Sequence, residues 1–306
     1  MSLMEPLETT IPDELWNNLG ILRHKTGNQE GAEEAYSKAG DTTRTLKFNK
    51  ARWHEDNGRD AEAKAIYETL DSYSDAKLRL SVMAKKEKDL NTALAHCRDV
   101  LAFDKKPINA LCQKGSIEFD VGDVKKALDT FNRVIWKHSH HDLYALLSMG
   151  NLHYEKALTS EREGYMKNAL DYFRKVLSLD ERNAYAAVGI GIYLAEMGRL
   201  GDAFEAFRMV GDNMPNLTSN MVNLAHIHLL QRRYESAIKL YQKASNVLPG
   251  NNVDVYIAFT YYCLEKYDKS IEILRPLLDA PKYNPKHTFN LALCLHSSAL
   301  MSINNK

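Results

Sequence analysis

The sequence predicts an all-α fold built from repeated helical hairpins, and three observations lead to that prediction. Apolar residues recur at intervals of three and four, and no segment keeps an alternating pattern for long. One pattern returns with a period of about 34 residues. Two columns of that repeat hold small residues in every copy. Because two helices approach closely only where neither carries a bulky side chain, these columns predict two closely packed helices per repeat.

The small columns locate the two helices of each hairpin, which we call helix A and helix B. The helix-A column is Gly20, Ala51, Ser81, Gly115, Gly150, Gly191, Ala225, Ala258 and Ala292. The helix-B column is Ala32, Ala63, Ala93, Ala127, Ala169, Ala203, Ala237 and Ser270. We expect the small residue of helix A to face that of helix B in each repeat.

The residues between and after the helices agree with these boundaries. Turn formers such as Asn57-Gly58 and Gly122-Asp123 separate helix A from helix B, and Pro107, Pro215 and Pro249 follow helix B. Aromatic residues follow the helix-B column in most repeats, and we expect them to fill the gap to the next repeat: Tyr36, Tyr67, Phe131, Phe173, Phe207 and Tyr241. This combination is typical of the tetratricopeptide repeat, whose hairpins stack into a right-handed α-α superhelix.

The repeat frame also predicts the domain organisation. Residues 1–12 form a lead-in, and residues 13–306 form a single array of about eight helical pairs plus a final helix around Ala292. The copies between residues 43 and 105 are weaker. Residues 156–164 are a polar insertion, which we expect to lengthen helix A and its turn. It is either a solvated insertion or a partner contact.

Composition excludes several classes of protein. The 306 residues carry 40 Lys and Arg against 40 Asp and Glu, and this zero net charge argues against electrostatic binding of nucleic acid. We expect no membrane span, because the longest apolar stretch, 184–195, is too short. The four cysteines lack zinc-like spacing, which favours a reduced intracellular compartment.

No residue pattern predicts catalysis. Gly189-Ile-Gly191 lacks the third glycine and the preceding strand of a dinucleotide loop. His138, His140 and His141 have no carboxylate or cysteine partner at ligand spacing, and His226 and His228 point to different faces of one helix. We therefore expect no enzyme, metal, cofactor or small-molecule substrate.

The candidate site is the concave face that helix A lines in such arrays. The predicted partner-binding residues are Phe119, Tyr144, Asn151, Tyr154, Tyr185, Ile192, His226, Phe259 and Tyr262, with Asn109, Cys112 and Leu147 on the same face. Aromatic side chains with few charges suit an apolar or helical peptide. The alternative is that half or more of them pack against the adjacent helix A.

Several segments resemble a known family. Residues 146–152, 169–177, 183–191, 223–231 and 234–241 resemble the Ctr-nine family, the tetratricopeptide scaffold of the RNA polymerase II-associated factor (PAF) elongation complex, over its central to C-terminal repeats. The resemblance spans nearly the whole chain. Because members of this family are considerably longer, we expect a fragment or a short form.

The resemblance implies a nuclear, non-catalytic scaffold. Its implied partners are the PAF and parafibromin components, with RNA polymerase II contacted indirectly and a link to histone modification. Two alternatives remain open at this point. One is a tetratricopeptide adaptor or cell-cycle scaffold outside transcription that binds a helical or extended peptide, and the other is the repeat domain of an enzyme.

Overall fold

The computed structural model describes residues 12–105, 107–160, 162–248, 253–278 and 285–304. These residues form α-helices and no strand, which confirms the predicted all-α class. The helices are α1 Asp13–Lys25, α2 Gln29–Lys38, α3 Arg44–Asp56, α4 Asp60–Glu68, α5 Ser74–Lys86, α6 Leu90–Phe103, α7 Ile108–Asp120, α8 Val124–Lys137, α9 Leu143–Thr159, α10 Arg162–Leu179, α11 Ala184–Glu196, α12 Leu200–Asn213, α13 Thr218–Leu230, α14 Tyr234–Val247, α15 Val253–Cys263, α16 Tyr267–Leu278 and α17 Pro285–Asn304. Pro249 and residues 1–11 of the predicted lead-in lie outside the described residues.

The odd-numbered helices are the predicted A helices and the even-numbered ones are the B helices. Gly27, Gly58, Gly122 and Gly198 separate A from B with φ between 73° and 88°, a conformation that glycine adopts without strain. The next helix is capped in several hairpins: Asp123 Oδ1, for example, accepts the Lys126 N–H at 3.0 Å before α8. Local turn chemistry therefore sets the length of helix A.

The chain divides into two compact units, Met1–Ser148 and Met149–Lys306. In the first, helix B packs on the next helix A at the α4–α5 and α6–α7 contacts. In the second, each helix from α10 to α16 packs on the helix that follows it. At these contacts helix B packs on helix A of the next hairpin, the arrangement of stacked tetratricopeptide repeats.

Two serine contacts locate the small columns against each other. Ser81 Oγ donates to the carbonyl of Ala93 at 2.8 Å, and Ser270 Oγ donates to the carbonyl of Ala258 at 2.8 Å. A side chain of one column therefore touches the backbone of the other. The alanines of the helix-B column are buried, as close helix packing requires.

The aromatic rings lie inside the hairpins as well as between them. A Cβ built on Gly191 would lie 2.5 Å from Phe207 Cε1, and one built on Gly150 would lie 2.5 Å from Phe173 Cε1. A Cβ built on Gly189 of the next repeat would lie 2.6 Å from Phe173 Cε2, so the same ring also lies close to that glycine. Besides the expected gap to the next repeat, these rings therefore also fill space inside their own hairpins, because each glycine makes room for the ring of its own hairpin.

The polar insertion falls where both helices of one hairpin are long. Helices α9 and α10 have 17 and 18 residues, against 13 and 14 in α7 and α8. The extra residues extend helix B as well as helix A. The His153 ring stacks on Tyr165 and Tyr172, with ring centres 5.9 and 5.4 Å apart, so aromatic packing joins the long helices.

Candidate protein-binding surface

Three predicted side chains meet around one cleft of the second unit. Tyr154, Ile192 and His226 stand on α9, α11 and α13 and line a cleft of about 510 Å³. Ile192 and His226 directly follow the small residues Gly191 and Ala225, while Tyr154 lies one helical turn beyond Gly150. Because positions one and four residues after the small residue lie on the same face of a helix, the three side chains converge on one side. We call this cleft the helix-A cleft.

The helix-A cleft has further lining residues that the sequence prediction missed. They are Asn223, Leu230 and Glu196, together with Ala195, Phe207 and Ile227. Leu230 is 63% exposed, so its side chain is accessible to a ligand in the cleft. Arg162 pairs with Glu196, so this carboxylate is neutralised. Asn223 lies three residues before His226 on the same helix, and this spacing could have identified it.

His226 serves both packing and the cleft. Its Nδ1 shares a hydrogen bond of 2.6 Å with the Tyr241 hydroxyl, and its ring meets Tyr256 edge-on with centres 4.7 Å apart. Burial lowers the pKa of the imidazole, and it raises the pKa of the Tyr241 phenol. Both groups are therefore neutral at pH 7, and the cleft presents an uncharged imidazole to a ligand.

The other predicted residues of the second unit differ in exposure. Asn151, Tyr185 and Phe259 are exposed and stand outside the lining of the helix-A cleft. Tyr262 is half-buried, with its hydroxyl 3.3 Å from Ser297 Oγ on α17. Its ring centre lies 5.4 Å from that of Tyr267. Tyr262 therefore packs within the protein, as the alternative interpretation expected for part of the set.

In the first unit the structure places Tyr144 in a cleft of about 420 Å³. Asn109 and Cys112 line it too, whereas Phe119 is half-buried outside its lining. Lys85 Nζ contacts Asp120 Oδ2 at 2.6 Å beside this cleft, so its charge is paired. Burial raises the pKa of the Cys112 thiol to about 12, which leaves it protonated and unreactive.

A larger cleft, of about 780 Å³, lies between α10, α11 and α12. Leu177, Ile190, Met209 and Met214 give it an apolar floor, and Arg182 lies on its rim. None of the nine predicted partner-binding residues lines this cleft. Its residues belong to the edge where helix B ends and the next helix A begins, which the prediction did not consider.

Two of the patterns considered for catalysis have packing roles. Gly189 lies inside α11 against the Phe173 ring, so close packing accounts for this glycine. His228 meets Phe204 edge-on, with ring centres 5.5 Å apart, on another side of α13 than His226. In the part of the chain that the structure describes, no group of three or more His, Cys, Asp or Glu could hold a metal ion. No helix of that part is long and apolar enough to cross a bilayer.

Stacked hairpins with paired small columns and an exposed helix-A surface define a tetratricopeptide-repeat protein, a class that binds other proteins. Residues 13–39 match the family model of the tetratricopeptide repeat. Residues 115–302, more than half of the chain, match the family model described as Intraflagellar transport protein 56, and the chain belongs to that family. Neither description is that of an enzyme.

The curated relatives carry another name. The chain is 29% identical over 280 residues to the protein CTR9 homolog of Arabidopsis thaliana, covering 86% of this chain and 26% of that protein. It is 29% identical over 270 residues to the RNA polymerase-associated protein CTR9 of Saccharomyces cerevisiae, covering 78% of this chain and 24% of that protein. The chain therefore spans about a quarter of the length of these relatives. The resemblance to the Ctr-nine family is confirmed.

A solved structure supports the fold. The crystal structure of the APC/C hetero-tetramer Cut9-Hcn1 superimposes with a TM-score of 0.70 at 13% identity, covering 91% of this chain and 54% of that chain. At this identity the likeness concerns the fold alone. The CTR9 relatives cover more of the chain than the match at 115–302, so the two comparisons differ in extent as well as in name.

Proposed function

We propose that the chain is a non-catalytic scaffold of a nuclear transcription-elongation complex that acts with RNA polymerase II. The observation that carries the proposal is the helix-A cleft, where Tyr154, Ile192 and His226 converge without an unpaired charge. An apolar anchor of a partner segment fits such a surface, since binding energy concentrates in pockets that exclude water. The names of the CTR9 relatives supply the polymerase-associated setting.

The particular partners that we propose are the ones implied by the resemblance to the Ctr-nine family. The PAF and parafibromin components are the partners we propose, with RNA polymerase II reached through them and a link to histone modification. A zero net charge is consistent with protein partners rather than direct contact with nucleic acid. The proposed location is the nucleus.

A second candidate function rests on the family match. The model described as Intraflagellar transport protein 56 covers residues 115–302, which include the whole helix-A cleft. In this alternative the same cleft serves an adaptor outside transcription. We place it second because the CTR9 relatives match a larger share of the chain.

Affinity purification with mass spectrometry separates the two functions. The tagged chain is purified from nuclear extract, beside the variant Leu230→Asp, which puts a charge into the helix-A cleft. We expect PAF and parafibromin components to copurify, and their recovery to fall about tenfold in the variant, equivalent to about 1.4 kcal/mol. Leu22→Asp is the matched control, because Leu22 on α1 is 60% exposed and lies outside the cleft.

Three outcomes count against parts of the proposal. Equal recovery with wild type and Leu230→Asp would show that the cleft is the wrong surface. Recovery of intraflagellar transport proteins in place of polymerase-associated ones favours the second function. If the Leu22→Asp control also loses its partners, the lower recovery with Leu230→Asp results from adding a charge to the surface and not from the helix-A cleft.

A further inference from the structure

One aromatic side chain of the first unit lies outside every surface described above. Trp136, in the last turn of α8, is 72% exposed, the highest fraction among the large hydrophobic side chains of the described residues. Trp53, by contrast, is buried and Trp16 is half-buried. Leaving an indole in water forgoes the free energy of burying it, so folding alone does not explain Trp136.

The repeat itself does not require a large ring at this position. Trp136 stands nine residues after the helix-B column residue Ala127. The same position in the other described hairpins is small or polar: Asp41, Ser72, Ala102, Ser178, Asp212 and Asn246. Trp136 is thus specific to one hairpin, and its role is local.

The side chains around Trp136 carry unpaired positive charge. Arg133 and Lys137 are exposed and four residues apart on α8, and neither forms an ion pair within the described part of the chain. The His140 ring stands edge-on to the indole, with centres 6.2 Å apart. Asp129 lies one turn before Arg133. Arg208 of α12, by contrast, is neutralised by Glu205 and Asp212.

We propose that Trp136, Arg133, Lys137 and His140 form a second protein-binding surface, which docks an acidic segment of a partner protein that carries one apolar residue. We call it the Trp136 surface. The two unpaired cations select carboxylates, and the indole accepts the apolar residue. Tryptophan and arginine are the side chains that most often dominate protein interfaces. Two cations with Asp129 nearby are too few for a run of phosphates, so the charge pattern favours a peptide over nucleic acid.

The test uses an array of synthetic peptides in which one apolar residue is varied between flanking Asp and Glu residues. A second array has Asn and Gln at the flanking positions. Labelled peptides are titrated with the full chain and followed by fluorescence anisotropy. We expect binding to acidic peptides only, and protection of tryptophan fluorescence from acrylamide, because Trp136 is the indole most open to the quencher.

Substitutions then locate the binding site. Arg133→Glu with Lys137→Glu, and separately Trp136→Ser, are each expected to weaken the best acidic peptide at least tenfold. Lys239→Glu with Lys243→Glu is the matched control, since both lysines are exposed and four residues apart on α14. Leu230→Asp is expected to leave this affinity unchanged, which separates the Trp136 surface from the helix-A cleft.

Several results would overturn the proposal. Absence of binding by every acidic peptide is one, and equal binding of the Asn and Gln peptides is another. Unchanged affinity in the Arg133 and Lys137 double variant is a third. A short single-stranded DNA is also titrated. If it binds more tightly than every peptide, and this binding is lost in the double variant, the surface is assigned to nucleic acid instead.

Discussion

At the scale of single residues, the packing of each hairpin depends on a pair of residues, one on helix A and one on helix B, that fill the same space between the two helices. Where helix A has glycine, helix B places an aromatic ring against it, as in Gly191 and Phe207. Where helix A has Ser81, the helix-B position holds the smaller Cys97, whose Sγ lies 3.3 Å from Ser81 Oγ. The combined volume of the two side chains is thus limited, because protein interiors tolerate neither overlap nor voids.

Gly191→Ala tests this limit. The new Cβ would stand 2.5 Å from a ring atom of the buried Phe207, so we expect the free energy of unfolding to fall by about 1–3 kcal/mol. Urea denaturation measures the change. Phe207→Leu makes room for the new methyl group. The loss of stability caused by Gly191→Ala should therefore be smaller in the Phe207→Leu variant than in the wild-type chain.

Gly201→Ala is the control for the glycine test. Nothing lies within 4 Å of the Cβ position at Gly201 in α12, so alanine there should leave stability equal or slightly higher. An equal loss at both positions would mean that the ring contact is not the cause.

At the scale of elements, small columns and turn residues specify one hairpin after another. Helix A ends where a residue with positive φ follows. Gly198 is this residue after α11, and Arg232, with φ of 60°, is this residue after α13. The alanine of the helix-B column is buried, as close packing of helix B on helix A requires. The long pair α9 and α10 keeps the same columns, Gly150 and Ala169, and adds turns beyond them.

Ala203→Glu tests the packing of α11 on α12. Ala203 is fully buried, so the substitution would bury a carboxylate without a partner at a helix contact. We expect a loss of roughly 3 kcal/mol or more in the free energy of unfolding. Ala102→Glu, on the exposed side of α6, is the control and should shift thermal unfolding little. An unchanged melt for Ala203→Glu would contradict the assignment of the helix-B column.

At the scale of the whole molecule, partly buried histidines distributed over both units link stability to pH. Burial is the main cause that lowers the pKa of five imidazoles: His54, His96, His153, His226 and His228. The unfolded chain takes up protons near pH 6.5, whereas these folded-state groups do so only at lower pH. Between the two values the unfolded state binds more protons, so stability falls as the pH decreases.

Urea denaturation at about pH 7 and about pH 5.5 measures this loss, in a range where histidine is the side chain that titrates. We expect a lower free energy of unfolding at the lower pH, and a smaller difference in His153→Phe, which keeps the stack on Tyr165 and Tyr172 without a titrating group. His141→Gln, at an exposed position, is the control. Equal stability at both pH values would contradict the prediction.

Much of the fold could be predicted, but less of the surface. The columns through Gly191 and Ala203 identified the hairpins because close packing restricts residue type in every copy. The face that helix A presents also followed, and it led to Tyr154, Ile192 and His226. Leu230 and the internal packing of Tyr262 did not follow, because exposure depends on which neighbouring helix covers a side chain.

The sequence by itself determined the class of fold, the repeated small columns that mark its hairpins, and the resemblance to the Ctr-nine family. These features depend on residue type at regular spacing, so they can be read without coordinates. Only the tertiary structure decided which side chains of the helix-A surface meet around a cleft, and that Trp136 is left in water. Those outcomes depend on contacts between residues far apart in the chain, where the tilt and length of each helix determine what is covered.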